Sequence, residues 1–204
     1  MKIICVGWNY ANHNTELNQP LPAEPTIFMK PETAILKDKE PFYIPDFSSE
    51  MHYELELVVK IDKMGKNISS KFAPRYYSSI GLGIDFTARD LQRKLQAEGK
   101  PWELCKAFDN SAVVGNFVSI ADMPFSINEI PFTLKKNDKI VQNGNSVNMI
   151  FDINSLIEYI SKFFTLKTGD LIFTGTPSGV GPVAVDDHLE GFLGEQKLLD
   201  CFVK

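Results

Sequence analysis

Residues 53–61, YELELVVKI, constrain this chain more than any other segment. Tyr53, Leu55, Leu57, Val59 and Ile61 recur with a period of two. Successive side chains on a β-strand point to opposite sides, so these five share one face, and that face must pack on a core. The other face carries Glu54, Glu56, Val58 and Lys60. The two glutamates therefore project the same way, roughly 6.5–7 Å apart along the strand. They repel when both are ionised. Two readings stand: a solvated outer face, or a pair of ligands for a cation.

Asp85 bears on that choice. It ends a second apolar run, Ile80-Gly81-Leu82-Gly83-Ile84, at the junction into a helical pattern. A carboxylate at the end of a buried strand, beside glycines that let other groups approach, suits a site as well as a helix cap. Thr87 followed by Asp90 reads as a capping-box start, and the helix runs to about Glu98, where Gly99 and Pro101 stop it. If Glu54, Glu56 and Asp85 converge, they form an oxygen-only ligand set with no matching Cys or His. Such a set favours Mg²⁺, Mn²⁺ or Ca²⁺ over zinc, and leaves positions open for substrate.

Other candidates cluster around this trio. Arg89 and Gln92 follow Asp85 at helical spacing, and Arg89 suits a carboxylate clamp or an exposed helix surface. Lys106, in CKAFD, stands among apolar neighbours, and a buried lysine needs a partner or a function. His13 and Glu16 are three apart in a polar segment, residues 10–18, with the spacing of one helical turn. They form a relay pair on a mobile lid, or an ordinary surface pair. Thr174 to Pro182, TGTPSGVGP, follows a strand but lacks the G-K-[ST] of a Walker loop. It reads as a rigid turn whose N–H groups and Thr176 hydroxyl meet an anion. His52 lies beside the acidic strand as an outer neighbour of the site, and His188 has no assigned role.

The remaining pattern is strand-rich. Residues 2–7, 26–30, 112–118, 131–135, 139–142, 171–174 and 197–203 read as strands, and residues 153–164 as an amphipathic helix. This predicts a mixed α/β, β-dominated fold in one domain covering residues 1–204. The chain has 204 residues, 44% hydrophobic and 23% charged, so it can bury a sizeable core. Its net charge of −5 argues against nucleic-acid binding. Cys5, Cys105 and Cys201 lie among apolar residues without metal spacing, which predicts free buried thiols in a reducing compartment. Nothing reads as a signal peptide or a membrane span. The expectation is a cytoplasmic protein without membrane or nucleic-acid partners.

Taken together, HYELELVV, GIDFTARDLQ, PW-x-L-x-K-x-FD and TGTPSGVGP, in that order, resemble the fumarylacetoacetate hydrolase family, and most of all its short single-domain acylpyruvate hydrolase and oxaloacetate decarboxylase type. The resemblance runs from GWNY at 7–10 to the C-terminus. It implies a fumarylacetoacetase C-terminal-like β-roll with a few helices, a homodimer, and a 2-oxo acid substrate. It puts the metal, Mg²⁺ with Mn²⁺ or Ca²⁺ as substitutes, on Glu54, Glu56 and Asp85. It puts catalysis on His13, Glu16 and Lys106, and substrate contacts on Arg89, Gln92 and Thr176. Trp8 departs from the pattern, in which many relatives carry Arg before Asn-Tyr, and this bears on substrate range. The activity implied first is hydrolysis of a C–C bond in an acylpyruvate, with Glu16, oriented by His13, deprotonating the attacking water. The alternatives are decarboxylation or keto–enol tautomerisation of oxaloacetate at the same site, and a metal-holding binding module without activity.

Overall fold

A computed structural model describes residues 1–16, 20–37 and 40–204. In chain order its elements are β1 (Ile3–Gly7), α1 (Ala11–Glu16), β2 (Thr26–Lys30), β3 (Met51–Tyr53), β4 (Leu55–Ile61), β5 (Tyr77–Asp85), β6 (Thr87–Ala88) and α2 (Arg89–Ala97). There follow α3 (Glu103–Lys106), β7 (Ala112–Ser119), β8 (Pro131–Lys136), β9 (Lys139–Asn145), α4 (Ile153–Phe163), β10 (Leu171–Phe173), β11 (Gly181–Pro182), β12 (His188–Leu193) and β13 (Gln196–Phe202). A six-stranded sheet has the order β2-β1-β10-β4-β5-β7, a four-stranded sheet the order β13-β12-β8-β9, and a small sheet joins β11-β3-β6. The mixed, strand-dominated fold is the one the sequence predicts. Among the described residues, no helix is long and apolar enough to cross a membrane.

The core explains the alternation in residues 53–61. Leu55, Leu57 and Val59 join Leu82, Ile84, Phe132, Leu134, Leu189 and Leu199 in one large apolar cluster. Val58, on the opposite face of β4, joins Ile3, Cys5, Leu171 and Phe173 in a second cluster. The six-stranded sheet is therefore covered on both faces, and the face carrying Glu54 and Glu56 is not solvated. All three cysteines are free and buried, as expected.

The predicted continuous strand 53–61 is broken at Glu54. Residues 51–53 pair with β6 and β11, whereas residues 55–61 pair with β5 and β10. The Leu55 N–H at the switch donates to the Gln142 side-chain oxygen (2.9 Å) instead of a strand partner. A long-range side chain thus lets the strand change sheets without orphaning a buried donor. Thr87 likewise is not the N-cap of α2. It lies in β6, and the helix starts after Ala88 with no side-chain cap. Asp90 instead accepts bonds from Leu91 N, Ser49 N and the hydroxyls of Ser48 and Ser49. The polar part of residues 10–18 is helical over Ala11–Glu16 as expected, while Leu17 and Asn18 lie outside the described residues.

Candidate metal and substrate site

Strand register brings the three acids together. In the β4–β5 ladder Glu56 faces Gly83, and the Asp85 N–H donates to the Glu54 carbonyl (2.9 Å). Glu54, Glu56, Gly83 and Asp85 therefore lie on one face of the sheet. Gly83 has a local reason: a Cβ there would collide with the Phe173 ring. Glu54, Glu56 and Asp85 each offer an oxygen within 4.8 Å of the others, and they are 5%, 2% and 0% exposed. The solvated reading of the two glutamates falls, and so does the helix-cap reading of Asp85.

Three cations surround the acids. Lys106 Nζ lies 2.7 Å from Glu54 Oε2, 2.7 Å from Asp85 Oδ2 and 2.6 Å from the Thr87 hydroxyl. Arg89 pairs with Glu54 (2.5 Å) and donates to Gln92. Lys30 Nζ is 2.7 Å from Asp85 Oδ1, an ion pair whose angles are not those of a hydrogen bond. Lys30 also donates to the Ser111 hydroxyl (2.9 Å) and the Lys106 carbonyl. Although burial pushes the Glu54 carboxyl up, Lys106 and Arg89 hold it well below the usual carboxylate range. Glu56 goes the other way. Burial first, then the charges of Asp85 and Glu54, push its carboxyl well up, and it is held by the Gly175 N–H (2.7 Å). Burial alone would lower the Lys106 ammonium, but Asp85 and Glu54 keep it charged.

This set fits a hard divalent cation. The donors are carboxylate oxygens at mutually bridgeable distances. The Lys106 ammonium already stands between Glu54 and Asp85 as a cation. Glu56 remains the uncompensated acid, and a raised carboxyl among like charges marks a place where positive charge is missing. A second His/Glu/Asp group, His188, Glu190 and Asp200, lies at the surface, where Lys197 already bonds both acids.

The acids line a cavity of about 20 Å³ together with Val6, Gly7, Trp8, His13, Phe28, Arg89, Gln92, Trp102, Lys106 and Thr176. That is room for about one water-sized guest, so side chains must move to admit a 2-oxo acid. A wider hollow of about 510 Å³ opens between Leu36, Val113 and Leu199, but its charged groups, among them Glu40, Lys197 and Asp200, are exposed. His13 is 4% exposed and faces the cavity. Its Nδ1 lies 3.2 Å from Glu16, whose side chain is 35% exposed. Burial lowers the His13 imidazole below its ordinary value. The glycine-rich turn meets carboxylates of the protein itself, since Gly179 N–H donates to Glu16 (3.2 Å) as Gly175 N–H does to Glu56. Thr176 donates to the Leu55 carbonyl (2.8 Å) and accepts from Gln142 (2.8 Å).

All nine predicted site residues thus lie in or directly behind one cavity. His52 accepts from Arg89 (3.4 Å) and is an outer neighbour, as read. Sequence reasoning missed Lys30, Gln142, Asn9 and Trp102. Lys30 carried a faint signal, as the one charge in the strand TIFMK.

The model of the fumarylacetoacetate (FAA) hydrolase C-terminal family matches residues 2–201. The chain belongs to the fumarylacetoacetate hydrolase family. It is 40% identical over 188 residues to the oxaloacetate tautomerase YcgM of Escherichia coli (strain K12), covering 92% of this chain and 86% of that protein. It is 42% identical over 183 residues to a mitochondrial oxaloacetate decarboxylase of Dictyostelium discoideum, covering 89% of this chain and 84% of that one. Among solved structures, the fumarylpyruvate hydrolase of Pseudomonas aeruginosa in complex with Mn²⁺ and pyruvate superposes with a TM-score of 0.92 at 32% identity, covering 100% of this chain and 89% of that one. The family is one of enzymes acting on small molecules. The names of the similar curated proteins favour oxaloacetate chemistry over the acylpyruvate hydrolysis expected first.

Proposed function

We propose that this chain is a divalent-metal enzyme that interconverts the keto and enol forms of a small 2-oxo acid, as its tautomerase relative is named for doing with oxaloacetate. The observation that carries the reading is the buried trio Glu54, Glu56 and Asp85, opening into a cavity that His13 also lines. Mg²⁺ or Mn²⁺ held by the trio would supply Lewis-acid polarisation of the 1-carboxylate and 2-keto oxygens. The relative crystallised with Mn²⁺ and pyruvate supports that pairing.

The protein's own groups then do the following. Arg89 and Lys106 offset the negative charge that develops on the 2-oxygen. Gln92 and Thr176 orient the acid end. His13, kept neutral by burial, takes the enol O–H proton, and a C3–H bond forms as a proton is returned at carbon 3. No water and no redox partner are consumed. Glu16 holds His13 Nδ1 from the outer side, and so fixes which ring nitrogen faces the substrate. This reverses the order first expected for the pair, since His13 rather than Glu16 lines the cavity. Decarboxylation of oxaloacetate is the second reading, favoured by the Dictyostelium relative. Breaking the C3–C4 bond leaves the same electron pair on carbon 3 and the 2-oxygen. The unit proposed is one catalytic domain acting as a homodimer.

The test follows the ultraviolet decay of enol-oxaloacetate with Mg²⁺, with Mn²⁺ and with EDTA, alongside CO₂ release and fumarylpyruvate cleavage. Metal-dependent loss of the enol without CO₂ is the expected result. Equal acceleration in EDTA would remove the metal from the mechanism, and no acceleration of any of the three reactions would overturn the reading.

A further inference from the structure

The cavity is lined by two kinds of residue: the acids with Arg89, Lys106, His13, Gln92 and Thr176, and Val6, Gly7, Trp8, Phe28 and Trp102. In the second group the Trp8 and Trp102 rings meet edge to face at 4.9 Å and 83°, and Phe28 lies 5.8 Å from Trp102. All three rings are half-buried, so they stand where the cavity meets solvent.

Trp8 is held there against its backbone preference. Its φ is +60°, in the left-handed region that a bulky side chain avoids. Neighbouring bonds fix it. Asn14 donates to the Trp8 carbonyl (3.0 Å). Fully buried Asn9 donates to the carbonyls of Thr174 (2.8 Å) and Phe151 (3.0 Å), and accepts from Phe151 N–H (2.8 Å). Strain retained by such a network marks a side chain placed for use.

The two cations lining the cavity, Lys106 and Arg89, stand among the acids, at the end where the keto–enol reading has them face the 2-oxygen. Lys106 bonds Glu54, Asp85 and Thr87, and its ammonium lies 5.4 Å from the Phe28 ring centre. Arg89 bonds Glu54 and Gln92. A second carboxylate on the substrate's far end would meet indole and phenyl rings, lose its hydration and gain no ion-pair partner.

We infer that Trp8, with Trp102 and Phe28, sets specificity, and that the preferred substrate is a 2-oxo acid or its enol whose C3 substituent is a flat, apolar aryl group and not a second carboxylate. This rests on the keto–enol reading above and narrows its substrate class. A flat substituent buries its face on the ring edges, a contact open to aromatic groups and closed to a hydrated anion.

The experiment measures kcat/KM for tautomerisation of enol-phenylpyruvate and enol-oxaloacetate by the Mn²⁺-loaded protein. The variants are Trp8→Arg, which offers a carboxylate a fork of donors, Trp8→Phe, which keeps the apolar lining, and Trp102→Leu. The wild type is expected to favour phenylpyruvate by about tenfold or more, the range a shaped apolar pocket gives. Trp8→Arg should shift the ratio toward oxaloacetate by a similar factor, Trp8→Phe should hold it, and Trp102→Leu should lower phenylpyruvate turnover selectively. A wild type that favours oxaloacetate, or a ratio that Trp8→Arg and Trp102→Leu both leave unmoved, overturns the inference and leaves the keto–enol reading standing. Turnover of neither enol by the wild type overturns that reading as well.

Discussion

Lys30→Met isolates the least visible part of the site. Lys30 has no exposed side-chain surface, and its ammonium sits 2.7 Å from Asp85 Oδ1. Methionine keeps the chain length and removes the charge, the Ser111 bond and the bond to the Lys106 carbonyl. The buried tally falls from three cations against three acids to two against three. Breaking a buried pair from one side costs about 3–5 kcal/mol, because the remaining charge is stranded. Asp85 keeps Lys106 at 2.7 Å, so the low end applies. At about 3 kcal/mol a domain of this size should melt roughly 6–12 °C lower in EDTA. Mn²⁺ at about 100 times Kd should raise the variant's own melting point by the equivalent of roughly 2.7 kcal/mol, yet at equal Mn²⁺ the variant should stay below the wild type. Mn²⁺ affinity should drop about 10–100-fold, the usual effect of losing a partner that orients a ligand. Thermal melts with EDTA and with Mn²⁺, and calorimetric Mn²⁺ titration, measure both quantities. A variant that melts within about 2 °C of wild type in EDTA and binds Mn²⁺ unchanged would refute the assignment of Lys30 as the support of Asp85.

Three further perturbations probe the same geometry. Glu56 has a folded-state pKa raised above its unfolded value, so its share of the metal-free protein's stability is present at low pH and lost as pH rises through the raised value. Glu56→Gln should remove that slope in EDTA melts, leave the metal-free protein no less stable, and cut Mn²⁺ affinity at least as far as the Lys30 variant does. The His13 imidazole is lowered by burial, so if its neutral form is the active one, kcat/KM should rise with pH and reach half its plateau below 6.5. A half-plateau at or above pH 6.5 would count against His13 as the proton carrier. Gly179 has φ +97°, and a Cβ there would strike the Val141 carbonyl oxygen. Gly179→Ala should cost about 1–3 kcal/mol in a urea melt, and it should lower kcat by moving the N–H that holds Glu16.

Local patterns carried much of this site. The period of two in residues 53–61 placed Glu54 and Glu56 side by side, and the apolar run before Asp85 marked the second strand. Lys106 stood out because its neighbours are apolar. Local pattern misled where a distant group competed for the same atom. Thr87 has the look of an N-cap, but its hydroxyl accepts from Lys106, nineteen residues on. Residues 53–61 look like one strand, but Gln142 takes the Leu55 N–H across 87 residues and permits a change of sheet. Lys30 looks like a strand end before Pro31, and only the packing of β2 beside β1 and α3 turns it toward Asp85.

These failures share a cause, which also bears on what the site can do. Three of the four missed residues are buried polar groups whose partners lie far along the chain: Lys30 with Asp85, Gln142 with Leu55 and Thr176, Asn9 with Thr174. A buried donor or charge without its partner costs more than the bond returns, so such pairs form together or not at all. The carboxylates of Glu54, Glu56 and Asp85 can crowd within 4.8 Å because those distant partners are already in place. The pair proposed for catalysis is built differently. His13 and Glu16 sit on the six-residue helix α1, joined to the trio's neighbourhood by Gly179 N–H and by the Asn9 and Asn14 anchors. On the proposed reading, a fixed metal cradle and a short helix carrying the proton carrier would divide the labour. Substrate entry into a 20 Å³ cavity is then expected to be met by movement of α1 rather than of β4 and β5. In hydrogen exchange, amides of α1 should therefore open well before those of β4, and Mn²⁺ alone should protect β4 and β5 without protecting α1.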